Sequence, residues 1–455
     1  MLSGFQYYKH NFMISSNGIN SVICFPGLMA PKKTQDIEPS EITSTLDLIA
    51  KRNEIRMGTD WIKSALDQLG NPEQNYPLIM IGGTNGKTTT SCFISQLLAS
   101  TGLRIGLFTS PHPDSVLQGI RCIEKDRTSE VIEKHITKRG LAGHVRAAQR
   151  TSIYLTSFEL QVFAAYLQFS EWRVDVAIME MGMGGKDDAV NVRHPELAVI
   201  TNVSMEHTKH LGKTIKEIAR NKADIIPENG TLVTSATPPA FDVICNCAKE
   251  RNSKVIVPTA GDHGPYLDHI TADYLRQNVR LAVEAVVQFS RENPKIMPEQ
   301  VNREEILEFA GRLQLPKGRF QIFGNQDGSH TIVDGAHNPA GFFVLLKELR
   351  KLLVEWKIAR SIFVMGILKD KDLSEMAKMT SGLNGKFIIC APDTPRARNP
   401  EGIALELKKY HDDVVIAGSV REAVRQGMEE MKGKKDLMIV TGSLYTVEEA
   451  MRFLD

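Results

Sequence analysis

The stretch from Leu78 to Thr90 limits what this chain can fold into more than any other. A short apolar run, 78–81, leads into Gly82-Gly83-Thr84-Asn85-Gly86-Lys87-Thr88-Thr89-Thr90, and a helical pattern follows through Phe93, Ile94, Leu97 and Leu98 to Gly102. Strand, glycine-rich turn and helix in that order form a phosphate-binding loop, or P-loop. Small residues let the backbone N–H groups of Gly83, Thr84, Asn85 and Gly86 approach phosphate oxygens, Lys87 supplies a point charge, and Thr88, with Thr89 beside it, offers a hydroxyl to Mg²⁺. A strict loop of this kind has Gly where Ile81 stands, so the motif is a variant.

Around this turn, strands and helices alternate. Apolar runs at 105–108, 174–179 and 197–201 read as strands, and helical spacing marks 158–169 and 215–225. Before the turn, Trp61, Ile62, Ala65, Leu66 and Leu69 recur at helical spacing, with Thr59 or Asp60 as cap and Gly70 as stop. A Pro-containing stretch near 313–317 separates the helical 304–310 from a second series of strands at 331–333, 361–365, 387–390, 414–416 and 437–440. The expected fold class is α/β: a P-loop parallel-sheet ATPase domain followed by a smaller Rossmann-like α/β C-terminal domain. Residues 230–270 show a possible α/β excursion and then no clear periodicity.

Composition excludes several classes of function. In 455 residues, 55 Lys and Arg stand against 54 Asp and Glu, a net charge of +1 that gives no overall field for nucleic acid or an acidic membrane. No run reaches the roughly 18 apolar residues of a membrane span. Six cysteines without zinc-type spacing read as reduced thiols in a cytoplasmic protein. Residues 1–35 lack any acid but also any Arg, so a flexible extension is expected there rather than a targeting peptide.

In doubly wound sheets, ligands collect beyond the carboxyl ends of the strands. Ser110 follows the strand ending at Phe108, Glu180 follows 174–179, and His207 lies a few residues after 197–201. A hydroxyl, a carboxylate and an imidazole behind a phosphate turn suit Mg²⁺, a hard ion that takes few protein ligands and keeps water or phosphate oxygens. The glycines of 182–185 allow close backbone approach to a ligand. Lys222 taken alone would ordinarily be solvated.

The order of motifs resembles the folylpolyglutamate synthase and dihydrofolate synthase family, within the Mur ligase superfamily. The likeness rests on Gly83-Thr84-Asn85-Gly86-Lys87, Thr109-Ser110-Pro111-His112, Phe158-Glu159, Glu180-Met181-Gly182, Gly184-Gly185, Asp188-Ala189, Glu206-His207, Leu211-Gly212 and Lys222-Ala223. It continues through Gly318-Arg319-Phe320, Asp334-Gly335-Ala336-His337-Asn338-Pro339, Met365-Gly366, Lys369-Asp370-Lys371-Asp372 and Gly442-Ser443, so it runs from about Leu46 to the C-terminus. Departures stand at Thr88, at Gln118-Gly119 where Glu-Arg is usual, at Lys186-Asp187, at Glu206 and at Tyr445.

The resemblance implies a flexible extension over 1–43, an ATP-binding domain over 44–312, a linker over 313–320 and a glutamate-ligase domain over 321–455. It implies Lys87, Glu180, His207 and Lys222 as catalytic residues, and Ser110, Glu180, His207 and Lys222 as ligands of Mg²⁺ at two sites, with Lys222 carbamylated. Asn278, Arg319 and Asp334 match nucleotide contacts, with His337 beside them. Thr156, Asp188 and Ala189 match a pterin pocket, and Ser443 an amino-acid contact. The expected activity is a cytoplasmic, monomeric, ATP-dependent amide ligase that adds L-glutamate to dihydropteroate or reduced folates through an acyl phosphate. The altered acceptor motifs also allow a Mur-type ligase acting on a non-pterin carboxylate.

Overall fold

The phosphate turn leaves the carboxyl end of β1 (Leu78–Gly82), a strand whose five residues are all buried. In the computed structural model, residues 49, 52, 54–112, 115–126, 130–259, 264–297, 301–325 and 327–454 are described; the expected extension over 1–43 lies outside them. Continuous burial of an apolar strand requires layers on both faces, as in parallel sheets. β1 accordingly lies inside an eight-stranded sheet with β2 (Ile105–Phe108), β3 (Ile120–Lys125), β4 (Val131–His135), β5 (Val176–Glu180), β6 (Leu197–Ile200), β7 (Thr231–Thr234) and β8 (Lys254–Ile256), in the order β4-β3-β2-β5-β1-β6-β7-β8. β3 and β4 form an antiparallel edge, and the other neighbours are parallel.

Register positions the site. Ile81 pairs with Glu180 and Gly82 with Ile200, so the chain leaving β1, β5 and β6 emerges at one level. The helix after the turn, Lys87–Ser100, is buried from Thr89 to Ser100 except at Gln96. It packs along the 20-residue helix Asp273–Glu292, whose Leu275, Val279, Ala282, Val283 and Val286 are buried.

The second sheet contains β9 (Gln321–Gly324), β10 (His330–Val333), β11 (Arg360–Met365), β12 (Gly385–Ile389), β13 (Val414–Ile416) and β14 (Asp436–Thr441), ordered β13-β12-β11-β14-β10-β9 with β9 antiparallel. One continuous apolar core runs from Ile79 and Phe93 through Val279 and Val283 to Phe320, Phe342 and Ile439, so the two sheets share buried surface. Even the stretch read as a linker is pinned: Gln96 donates to the Gln314 carbonyl at 3.0 Å and accepts its N–H at 2.9 Å.

The α/β excursion expected within 230–270 is present: residues 231–256 hold β7, the helix Ala240–Glu250 and β8, while 260–263 lie outside the described residues. One part differs from expectation. The β3–β4 hairpin was not expected, because its short alternating pattern carries many charges. Tyr166, fully buried on the helix Ser157–Trp172, donates to the Val190 carbonyl at 2.6 Å, and its own carbonyl accepts from Tyr76 at 2.8 Å. Tyr166→Phe removes one buried hydrogen bond and should lower stability by about 1 kcal/mol; an unchanged urea midpoint would contradict this account of the packing.

Candidate active site

The turn is held from outside by the chain leaving β6. Gly83 has φ +131, and a Cβ there would stand 2.0 Å from Thr201 Oγ1. Gly86 has φ +83, and a Cβ there would stand 2.8 Å from Asn278 Oδ1. Both positions therefore need glycine for conformation and for space. The Asn202 carbonyl accepts the Thr84 N–H at 2.8 Å, Asn202 Oδ1 accepts the Asn85 N–H at 3.0 Å, and the Asn85 carbonyl accepts from Thr201 Oγ1 and Asn202 Nδ2. This corrects one expectation: the Thr84 and Asn85 N–H groups are engaged by Asn202 rather than left for phosphate. What remains is the start of the helix at Lys87, Thr88 and Thr89, which no side chain caps and no acid occupies. Such a helix start offers N–H donors and positive potential to an anion.

Opposite the turn, Glu180 ends β5 and is 1% exposed. Thr88 donates its hydroxyl to Glu180 Oε1 at 2.9 Å, while Glu180 Oε2 is buried without a hydrogen-bond partner. Burial raises this carboxyl to about 6, against the opposing pull of Lys87 and the Thr88 hydrogen bond. A buried carboxylate oxygen without a donor favours a cation beside it. Ser110 closes the same end of β2, and its backbone also lowers Glu180. No three His, Cys, Asp or Glu among the described residues gather as a metal cluster by themselves. Thr88, Ser110 and Glu180 thus fit a cation that completes its shell with phosphate or water oxygens.

Beneath the turn lies a buried ion pair. Lys222 ends the helix Ile215–Lys222, is 1% exposed, and donates to Glu206 at 2.7 Å and to the Gly83 carbonyl at 2.8 Å. Burial would raise Glu206, but Lys222 and Lys87 bring it down to about 2; burial also lowers Lys222 despite Glu206. His207, in a left-handed conformation at φ 45, begins the short helix Thr208–Leu211 and is lowered by burial. The structure therefore groups Lys87, Thr88, Glu180 and Lys222 around one turn.

From the second sheet, Asp334 follows β10 and is buried, raised by that burial. It accepts from Tyr274 Oη at 2.6 Å and from the Phe320 and Ala336 N–H groups at 2.9 Å each. Asp334 thus anchors the segment carrying Arg319, and Tyr274, which has no motif around it, was missed by sequence reasoning. His337 holds the Gly335 carbonyl at 2.8 Å, and burial, with Lys371 nearby, lowers it to about 4.

Of the residues expected at the acceptor, Thr156, Asp188 and Ser443 hydrogen-bond to backbone and Ala189 is buried. Thr156 caps the helix Ser157–Trp172 in a capping box with Glu159, which in turn pairs with Arg56. Asp188 accepts the Met183 N–H at 2.6 Å and the Val190 N–H at 2.9 Å, so both oxygens shape the turn after β5; burial raises it to about 6. Ala189 is 4% exposed and packs in the core. Ser443 is fully buried and caps the helix Leu444–Met451, accepting the Thr446 N–H at 3.0 Å.

A cavity of about 1130 Å³ that sequence reasoning missed opens beside Thr88, lined by His112, Arg121, Arg319, Leu444 and Val447 among others. At Gly119, a Cβ would meet the Thr109 carbonyl at 2.9 Å, so this position stays bare, and Arg121 follows two residues later on β3. Arg121 donates to Thr109 Oγ1 at 2.9 Å and pairs with Glu133 at 3.3 Å. The space is lined from both sheets by cationic, acidic and apolar side chains, the mixed lining of a small-molecule site.

Comparison with known proteins gives the following. Residues 81–293 match the Mur ligase middle domain, and 318–444 match the Mur ligase glutamate ligase domain. A dihydrofolate synthase/folylpolyglutamate synthase of Bacillus subtilis is 28% identical over 437 residues, covering 88% of this chain and 95% of that protein. A Halobacterium salinarum protein named probable bifunctional folylpolyglutamate synthase/dihydropteroate synthase is 31% identical over 425 residues, covering 86% of this chain and 49% of that one. A Haloferax volcanii protein of the same name is also covered to 49%, so the chain spans about half the length of these two curated relatives. Among solved structures, E. coli FolC in complex with DHPP and ADP shares the fold with a TM-score of 0.77 at 24% identity, over 91% of this chain and 97% of that one.

His337 makes the fold sensitive to acid. Its folded value of about 4 lies below the ordinary 6.5, so the unfolded chain binds the proton first. The stability this gives is full above pH 6.5 and is lost as the pH falls toward 4. Allowing for its partial exposure, His337→Gln should lose about 1–2 kcal/mol less than the wild type between pH 7 and pH 5. Urea unfolding at both pH values checks this, and equal losses would contradict it.

Proposed function

The chain belongs to the Mur ligase family, and on that premise we propose that it is an ATP-dependent ligase joining the amino group of L-glutamate to the carboxylate of dihydropteroate or a reduced folate. The observation that carries this reading is the phosphate turn at the end of β1 facing the partnerless Glu180 oxygen, with the second sheet closing on the same cleft. The name of the Bacillus subtilis relative supports a folate acceptor and glutamate as the added group. The cytoplasm and a monomeric state suit the reaction.

The chemistry follows from the chain's own groups. The uncapped start of the helix Lys87–Ser100 and the Lys87 ammonium seat the phosphates of ATP and stabilise charge that spreads during transfer. A substrate carboxylate oxygen takes the γ-phosphoryl group as its bond to ADP breaks, giving an acyl phosphate. The amine nitrogen then attacks the carbonyl carbon; the tetrahedral intermediate expels phosphate, which takes up the proton the nitrogen loses, and an amide remains. The apolar contact between the sheets excludes water that would otherwise hydrolyse the acyl phosphate. Ser110, Glu180, His207 and Lys222 are the groups that would hold magnesium, at two sites; when bound, the ion neutralises phosphate charge. Asn278, Arg319, Asp334 and His337 are proposed to stand on the nucleotide side. Thr156, Asp188 and Ala189 are proposed to line the pterin pocket, and Ser443 to contact the amino acid.

The deciding experiment offers dihydropteroate, dihydrofolate, tetrahydrofolate and muramyl-peptide carboxylates, each with L-glutamate and other amino acids, and records product mass and ADP. We expect glutamyl products from the pterins. Turnover confined to a non-pterin carboxylate would reject the folate acceptor and favour a different Mur-type ligase.

Lys222 is proposed to carry a carbamate. Burial shifts its amine toward the neutral form, which adds carbon dioxide, against the pull of Glu206; the carbamate would replace the ion pair with Glu206 by an anionic oxygen ligand. With ¹³C-bicarbonate, magnesium and nucleotide, the wild type should show a carbamate carbon resonance that Lys222→Arg lacks. Its absence from the wild type would remove the carbamate from the mechanism.

A further inference from the structure

Asn338 has had no part in the site so far, yet it reaches the phosphate turn from the second sheet. Its Nδ2 donates to Asn85 Oδ1 at 2.9 Å, and Asn85 Nδ2 donates back to Asn338 Oδ1 at 3.2 Å. The same Asn338 oxygen accepts the Gly341 N–H at 2.8 Å and so caps the helix Pro339–Glu355. That third bond fixes which atom of Asn338 is oxygen, and with it the orientation of both amides. The fit is close: a Cβ at Gly341 would stand 3.2 Å from Asn338 Oδ1 and 3.4 Å from Asn85 Oδ1. Asn338 itself is 9% exposed.

Asn85 lies between two holds. Its backbone is tied to Thr201 and Asn202 beyond β6, and its side chain to a helix cap that lies 253 residues along the chain. Two amides paired head to tail satisfy each other at one relative position, and a displacement of about 1 Å breaks both bonds. We propose that Asn338 is a positioning residue: by clasping Asn85 it sets the shape of the phosphate turn from the second domain, so that nucleotide affinity depends on how the helix Pro339–Glu355 is docked. The clasp adds to the proposed function and rests on its reading that the turn takes nucleotide phosphate. It gives the second sheet a direct hold on the first sheet's binding loop, separate from its contribution of Arg319.

The test is a double-mutant cycle on the whole chain. Asn338→Ser keeps a capping oxygen but is too short to reach Asn85, and Asn338→Thr serves the same purpose should the Ser variant fold poorly. Asn85→Ala removes the other half. Calorimetry measures the affinity of each protein for a non-hydrolysable ATP analogue with Mg²⁺. Losing two hydrogen bonds that pre-shape the turn should weaken binding about tenfold when Asn338 is changed in the wild-type background, and less than twofold in the Asn85→Ala background. Equal factors in both backgrounds, or no weakening in the first, would overturn the clasp, because loss of a helix cap alone acts regardless of Asn85. Amide formation by the wild type is followed in parallel: a protein that binds nucleotide but makes no amide fails the ligase reading while the cycle still decides the clasp. A wild type that binds no nucleotide would overturn the clasp along with its premise.

Discussion

The grip of the β6 loop on the phosphate turn underlies the rest of the site. Asn202 meets the turn three times, through its carbonyl, its Oδ1 and its Nδ2, and Thr201 adds a fourth hold at the Asn85 carbonyl. Because β1 and β6 are neighbours in register, the turn is built against a surface already fixed by the sheet. The glycines follow from this: a Cβ at Gly83 would fall on Thr201, so the grip and the motif determine each other. The N–H groups spent on Asn202 cannot serve a ligand, and the anion is directed to the helix start.

Below the turn, charge is buried at a cost that pairing and hydrogen bonding offset. Taking a Lys and a Glu out of water is expensive, and such a pair contributes net stability only when its geometry is good. Here Lys222 also donates to the Gly83 carbonyl, so the ion pair supports the loop as well as neutralising itself. Glu180 is in the opposite situation, with one oxygen satisfied by Thr88 and the other left bare. One buried carboxylate is complete and the other is not, and the incomplete one faces the phosphate turn.

Much of this could be read along the chain. The strand, turn and helix at 78–100 announced themselves because apolar period, glycine and Lys occur in sequence within one local unit, and the buried strands of both sheets are plain apolar runs. Less legible were contacts between distant segments. Tyr274 meets Asp334 across 60 residues, and Asn202 lies in a loop without a motif. The helix Asp273–Glu292 interleaves charges with its apolar stripe, and its partner face belongs to another helix, so nothing nearby marks its role. Thr156, Asp188 and Ser443 show a different limit. A hydroxyl or carboxylate at a strand end or helix start can face a ligand or cap its own backbone, and sequence records the group but not its direction. In each case the group hydrogen-bonds to nearby backbone.

The β3–β4 hairpin ends the larger sheet on one side. Among the described residues β4 pairs with β3 alone, so its outer row of peptide groups is an open template for another strand. Its last three residues, Glu133, Lys134 and His135, are exposed, and Lys134 and Glu124 pair across the hairpin. A neighbouring chain that tried to extend the sheet here would have to strip water from these charges. Charged side chains on this edge work against edge-to-edge growth of the larger sheet from this strand.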